Sequence, residues 1–389
     1  MRANHLVSVL VAFSLSAFAL AQAKSNATPP ATKPASTAVA TTTKGAENSS
    51  EAAAKTPRQV FILSQKGMVG AGLRHEEMDK IEKEADKFGP GQIIILRINS
   101  GGGSVTEGDR ISKSLTRIRD KHRLVAWIEE AISGAAFTAM HCPEMYLMKN
   151  GSIGSITKFS SNSEGQKSAE GKDLEAWIER VAEVSEGGGR NGQVGRAMVY
   201  SPIMVSYTKD PKTGKVTFYP DKSGAVVLSD EKDNLTFNCT NALDCGFING
   251  VADTPEELFT AMQLVPGTFQ VNETGKRVGD SWNKVLEKAQ SDRDSITQDL
   301  QLTNGNDVKS MQKRIQLYKQ MQEIWKKAKP VAEGMEGGGP LLPPEAEQVA
   351  ADLFEKWQTS PDQAKVACEA IDRCIKELQK KLAAAKKTG

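Results

Sequence analysis

QIIILRINSGGGSVTEGDRI, residues 92–111, passes from a continuous apolar run through three glycines into an amphipathic stretch. An apolar run bounded by glycine reads as a strand buried on both faces, and the segment after it has helical spacing. Glycine loses more chain entropy on folding than any other residue, so three in a row mark a backbone that something must approach closely. The same alternation recurs on either side. VFILS (60–64), RLVAWI (123–128) and EMYLM (144–148) are short apolar runs, with amphipathic segments over 75–88, 106–120 and 133–141 between them. Strands alternating with helices predict an α/β fold with a parallel sheet.

The rest of the chain divides by composition. Residues 1–23 have a short charged start, an apolar run from Leu6 to Leu20 and small residues at Ala19, Ala21 and Ala23. That pattern predicts a secretory signal and an exported, periplasmic or secreted product, with an uncleaved anchor as the alternative. Residues 24–57 are rich in Ala, Thr, Ser, Pro and Lys and read as a disordered linker. A core domain is expected over 58–265, including a polar hairpin about Pro211–Gly214 and a helix start at Asp253-Thr254-Pro255 with Glu257. Residues 151–165, GSIGSITKFSSNSEG, read as a loop, and a helix is expected from about Lys172 to Ser185. A helical C-terminal region is expected over 280–389, with Val308, Met311, Ile315, Tyr318 and Trp325 on one stripe and a break at Gly334–Pro344. Leu353, Phe354, Trp357, Ile371, Cys374 and Leu378 mark the apolar positions of two further helices. Such a tail packs or oligomerises, or else serves as a partner-binding arm.

Charge excludes more than it selects. Fifty basic against 48 acidic residues leave +2, and aromatics make up 6 %. A nucleic-acid groove wants a basic field with stacking rings, so no nucleic-acid partner is expected. The glycine run lacks the Gly-Lys-Ser/Thr of a phosphate loop and the spacing of a dinucleotide fingerprint, so no nucleotide cofactor is expected, and no metal. Of the five cysteines, Cys239 and Cys245 could bridge a short loop, Cys142 reads as a small buried residue, and Cys368 and Cys374 lie on different faces of a helix.

A second stretch carries the candidate chemistry: EEAISGAAFTAMHCPEMYLM, residues 129–148. Ser133 falls at a strand-to-helix turn among residues too small to shield it, which is how an exposed nucleophile is presented. The plainer reading makes Ser133 a helix N-cap. A hydroxyl nucleophile needs a base. His75, His122 and His141 have no evident path to Ser133 from their places in the pattern. A lysine can serve if burial lowers its pKa from the ordinary value of about 10.4, and Lys158, Lys167 and Lys172 are the candidates beside the surface-lysine reading.

Four motifs then share one resemblance. INSGGGSVTEGDRI (98–111) is similar to the Ile-Asn-Ser-Pro-Gly-Gly turn of the Clp protease proteolytic subunit and of its exported relatives, the signal peptide peptidase A and NfeD families. AISGAAFTAMHCPEMYLMKNGSIGSI (131–156) resembles their nucleophile helix and the strand after it. KDLEAWIERVAEVSEGGGRN (172–191) resembles the Lys-initiated helix and Gly-Arg-Asn turn of the NfeD-type proteases, and LTFNCTNALDCGFINGVADTPEEL (235–258) resembles their closing segment. The likeness covers about residues 60–262 in collinear order.

The resemblance implies a core of the ClpP/crotonase type and a serine endopeptidase with a Ser-Lys dyad. Ser133 would be the nucleophile, Lys172 the base, Gly103 and Gly134 the oxyanion-hole donors, with Gly101 and Gly102 against the substrate. Gly101 stands where the family has Pro. The Clp subunit's catalytic His would fall near Lys158, which is kept as the reserve base. Peptides or unfolded proteins would be substrates, with membrane proximity and homo-oligomers as family expectations. The rivals are an inactive scaffold of the same fold acting through its tail, and a crotonase-type enzyme acting on an acyl thioester.

Overall fold

The apolar runs form the parallel strands expected of them. In the computed structural model, residues 57–162, 165–329, 350, 352–353 and 363–388 are described. The signal, nearly all of the linker, the Gly334–Pro344 break, Phe354 and Trp357 lie outside these residues.

The chain begins with strand β1 (Arg58–Lys66), helix α1 (His75–Asp86), β2 (Ile93–Ser100), α2 (Val105–Lys121), β3 (Arg123–Ile132), α3 (Gly134–Met140) and β4 (Glu144–Gly154). It continues through β5 (Phe159–Asn162), β6 (Gly165–Ser168), α4 (Gly171–Gly187), α5 (Gly192–Val199), β7 (Ser206–Lys209), β8 (Val216–Tyr219) and β9 (Val226–Val227). Then come β10 (Thr236–Asn238), α6 (Cys239–Asp244), β11 (Gly250–Val251), α7 (Pro255–Ala261) and β12 (Phe269–Asn272). Among the described residues three long helices follow: α8 (Thr274–Leu302), α9 (Val308–Lys327) and α10 (Gln363–Thr388). The α/β class with its helical C-terminal extension stands as expected.

The central sheet has the order β10-β4-β3-β2-β1-β12, with β11 also on β4. Every pairing in it is parallel except that of β10 with β4. Both faces are covered, as a parallel sheet requires. On one side Phe61, Leu63, Ile94, Leu96, Ala126 and Ile128 meet the buried faces of α1, α2 and α3. On the other, Val60, Ile93, Ile95, Val125 and Trp127 pack against Leu258 and Met262.

Three differences from the sequence reading have local causes. Gly151–Gly154 complete β4 instead of entering a loop, because the chain bulges out after Leu147 and rejoins β3 at Ser152 opposite Glu130. Phe159–Asn162 and Gly165–Ser168 then pair as a hairpin. Cys239 and Cys245 are free thiols at opposite ends of α6. The Cys239 thiol donates to the Lys149 carbonyl at 3.0 Å, while Cys245 is buried.

The C-terminal helices have a core of their own. Leu286, Met311, Tyr318, Trp325, Ile371 and Cys374 are buried together. Met311, Tyr318 and Trp325 belong to the apolar stripe read from the sequence. Among the described residues no helix is long and apolar enough to cross a membrane.

Candidate active site

Two adjacent parallel strands bring the glycine run and Ser133 together. β2 delivers Gly101–Gly103 and β3 delivers Ser133, both at carboxyl ends of strands, where open α/β sheets place their sites. Glu129 is an extra residue in β3: Ile128 pairs with Ile98, and Glu130 with Asn99. Such a bulge bends a strand and re-aims the residues beyond it.

Ser133 occupies the position of an N-cap, but its side chain makes no capping hydrogen bond. Its backbone lies at φ 55°, ψ −124°, a region that non-glycine residues adopt only where the surroundings impose it. The Ser133 N–H is held by the Gly154 carbonyl at 3.0 Å, which fixes the turn from the neighbouring strand. The capping alternative is thereby removed: this serine is held in a strained turn, half-buried, with its hydroxyl unengaged among the described residues.

The glycines stand against it. Gly102 has φ +107°, and a Cβ there would come within 2.6 Å of the Ser133 Cβ and 3.1 Å of its Oγ. Gly103 has φ +146°, and a Cβ on it would collide with the Val69 carbonyl. Only glycine meets both demands. A Cβ placed on Gly134 would lie 3.5 Å from the Gly103 nitrogen, so the backbones of Gly103 and Gly134 are neighbours. The Gly134 N–H is the first of α3 and has no partner inside the helix. The N–H of Gly103 donates to no acceptor among the described residues, because its neighbours take the bonds on either side. Gly102 O accepts from Val69 N–H at 2.8 Å, and Ser104 N–H donates to Val69 O at 2.9 Å. Gly101 lies at the edge, where a Cβ would stand 3.7 Å from Glu130 Oε1.

The base side is built differently. Lys172 is the second residue of α4 and exposed; among the described residues it makes no hydrogen bond or ion pair with Ser133. Lys158 is half-buried in the link after β4, its carbonyl accepting from Ala169 N–H at 2.8 Å. Lys167 is exposed on β6. The structure thus joins Ser133, Gly102, Gly103 and Gly134, and does not join Lys172 or Lys158 to them.

The histidines are engaged elsewhere. His141 caps α3, with ring contacts to the Phe137 carbonyl at 2.9 Å through Nδ1 and to the Ser112 hydroxyl at 2.7 Å through Nε2. Nδ1–H donates to the carbonyl, so Nε2 accepts from Ser112. Burial pushes the His141 pKa down to about 4, with the Arg119 and Arg180 charges acting in the same direction. His122 lies against Asp86, and His75 against Glu107 and Glu76. His75, Glu76 and Glu107 could together offer ligand atoms to a metal ion. Arg74 already pairs with Glu76, however, and Arg110 with Glu107, which disfavours a cation there.

The residue missed from sequence is Val69, in the Gly67–Arg74 turn between β1 and α1. GMVGAG (67–72) carried the signal, a second glycine-rich run after a buried strand.

Solved structures similar to this chain include two variants of 1510-N, a membrane-bound stomatin-specific protease. One shows 15 % identity over 55 % of this chain and 89 % of that one, with a TM-score of 0.41. The other, solved with a substrate peptide, shows 14 % identity over 58 % and 99 %, with a TM-score of 0.42. ClpP1 from Listeria monocytogenes shows 17 % identity over 51 % and 94 %, with a TM-score of 0.32. No curated protein matches the chain. Residues 59–234 match the family described as NfeD1b, N-terminal domain, a span that includes the Val69 turn, Gly101–Gly103, Ser133 and Gly134, and also Lys172.

Proposed function

We propose that the chain is an exported serine endopeptidase in which Ser133 is the nucleophile and Lys172 the general base. The observation that carries this reading is the Ser133 turn. A serine at φ 55°, released from capping, has the backbones of Gly103 and Gly134 beside it. Strain of this kind persists where a side chain must be presented. The match of residues 59–234 to an NfeD1b N-terminal domain supports the same reading.

In the proposed reaction, neutral Lys172 takes the Ser133 hydroxyl proton as Oγ attacks the scissile carbonyl carbon. The N–H groups of Gly103 and Gly134 receive the tetrahedral oxyanion, whose charge is larger than that of the ground-state carbonyl. The C–N bond breaks, Lys172 returns the proton to the leaving amine, and a water activated by Lys172 hydrolyses the acyl-serine. The reading requires Lys172 to approach Ser133 when a peptide is bound.

The exposure of Lys172 favours a second reading, a catalytically silent scaffold of the same fold. Hydrolysis of an unfolded protein by the mature chain, beside Ser133→Ala and Lys172→Ala, separates the two. Loss of activity in both variants supports the dyad. Absence of wild-type hydrolysis, or hydrolysis surviving Ser133→Ala, overturns the peptidase reading.

A further inference from the structure

The Gly67–Arg74 turn lies between two cores. Val69 and Leu73 are buried in the α/β core, while Ala71 is buried with the C-terminal helices and Met68 packs against them. Within the turn, the N–H groups of Ala71, Gly72 and Leu73 all point at the Met68 carbonyl, at 2.9–3.1 Å. Three donors on one acceptor close the turn on itself. It is tied to the Gly102–Ser104 backbone by the two Val69 hydrogen bonds described above.

Its other face is held by α8. The Trp282 indole Nε1–H donates to the Ala71 carbonyl at 2.7 Å, across 211 residues of sequence. Ala71 is 1 % exposed, and no backbone N–H among the described residues donates to that carbonyl. Without Trp282 it would be a buried acceptor lacking a partner, a state that costs a folded protein more than the bond's net gain. The Arg74 guanidinium lies over the same indole, 3.8 Å from its centroid, and pairs with buried Glu77. α8 reaches this place because it lies directly on the backbone of β1. Cβ atoms on Gly275 and Gly279 would stand 2.7 Å from Ile62 N and from Ser64 O respectively.

We propose that Trp282 is a positioning residue for the oxyanion turn. Through Ala71 and Val69 it sets the orientation of the Gly103 N–H, which makes the first helix of the C-terminal layer part of the catalytic apparatus. The inference rests on the peptidase reading for its consequence, but not for its geometry. A donor misaimed by a fraction of an ångström loses stabilisation of the oxyanion while ground-state binding is kept, so the effect falls on kcat and not on KM.

The test uses the full chain with Trp282→Phe, which keeps an aromatic ring for Arg74 and removes the N–H together with part of the indole. Trp282→Ala removes both, and Lys288→Ala on exposed α8 surface is the control. Amide hydrogen exchange at Val69 and Ser104 is expected to quicken about tenfold in Trp282→Phe, with Ile95 and Val125 in the sheet unchanged. Peptidase kcat is expected to fall about tenfold with KM within about twofold, and further in Trp282→Ala. Unchanged exchange at Val69 and Ser104 overturns the inference, as does quickened exchange with an unchanged kcat in Trp282→Phe. A wild-type chain that hydrolyses nothing overturns the peptidase reading instead, and exchange distinguishes that failure because it is read without a substrate.

Discussion

The two halves of the candidate site are built on opposite principles. Ser133 and the Gly102–Gly103 backbone sit at the carboxyl ends of strands, where the Ser133 N–H donates to the Gly154 carbonyl and the Val69 N–H donates to the Gly102 carbonyl. Lys172 is exposed in the first turn of α4 and makes no hydrogen bond or ion pair with them among the described residues. The contrast has a physical basis. An oxyanion hole works only if its dipoles are oriented before charge develops. A lysine base must be neutral to act, and permanent burial without a partner would be costly for a group that spends most of its time charged. One half can be rigid in the free protein, and the other can be completed by the substrate.

If the contrast is right, substitutions on the two sides differ in kind. The largest effect is expected for Ser133→Ala, which should lower kcat by at least about 10³-fold with KM nearly unchanged. It should not lower the thermal midpoint, since the serine side chain makes no capping bond. Next comes Lys172→Arg, which keeps a cation of similar length that cannot give up its proton. A loss of about 10²–10⁴-fold in kcat without loss of stability is expected, and wild-type activity in this variant would remove Lys172 from the mechanism. Gly102→Ala should cost about 10²–10³-fold in kcat and, unlike Lys172→Arg, also destabilise the fold, because its Cβ would press on the Ser133 Cβ at 2.6 Å. A urea titration beside the kinetics separates the two kinds of loss.

The smallest effect is on stability alone. His141 has a folded-state pKa depressed to about 4 from 6.5, so the unfolded chain binds a proton first as pH falls. Its contribution is present above pH 6.5 and is lost progressively down to about pH 4, by roughly 3 kcal/mol at most. His141→Gln should flatten that part of the pH–stability curve while leaving kcat near the wild-type value. A large kcat loss with the fold intact would return a histidine to the chemistry.

How far the sequence reached follows the same division. The central strands were legible because a strand buried on both faces is a continuous apolar run, as in QIIIL and RLVAWI. Gly101–Gly103 and Ser133 were legible because glycine at a strand end and small residues around a serine each have a steric reason. The dihedral angle of Ser133 was not, since it is imposed by Gly154 on the next strand. Strand β12 was missed because FQVN is only four residues with one partner, β1, at the sheet edge. The bond from Trp282 to Ala71 is a tertiary fact with no trace in local pattern. Whether a lysine meets the serine is of the same class.

The most direct test of the central claim is the rate at which Ser133 is acylated by an activated peptide ester, followed by intact mass across pH in the wild type and in Lys172→Arg. The account predicts one acyl group per chain, mapped to Ser133, with a rate that rises as a base loses its proton and falls by about 10²–10⁴-fold in the variant. No adduct on Ser133, or the same rate and pH profile in both proteins, would contradict it.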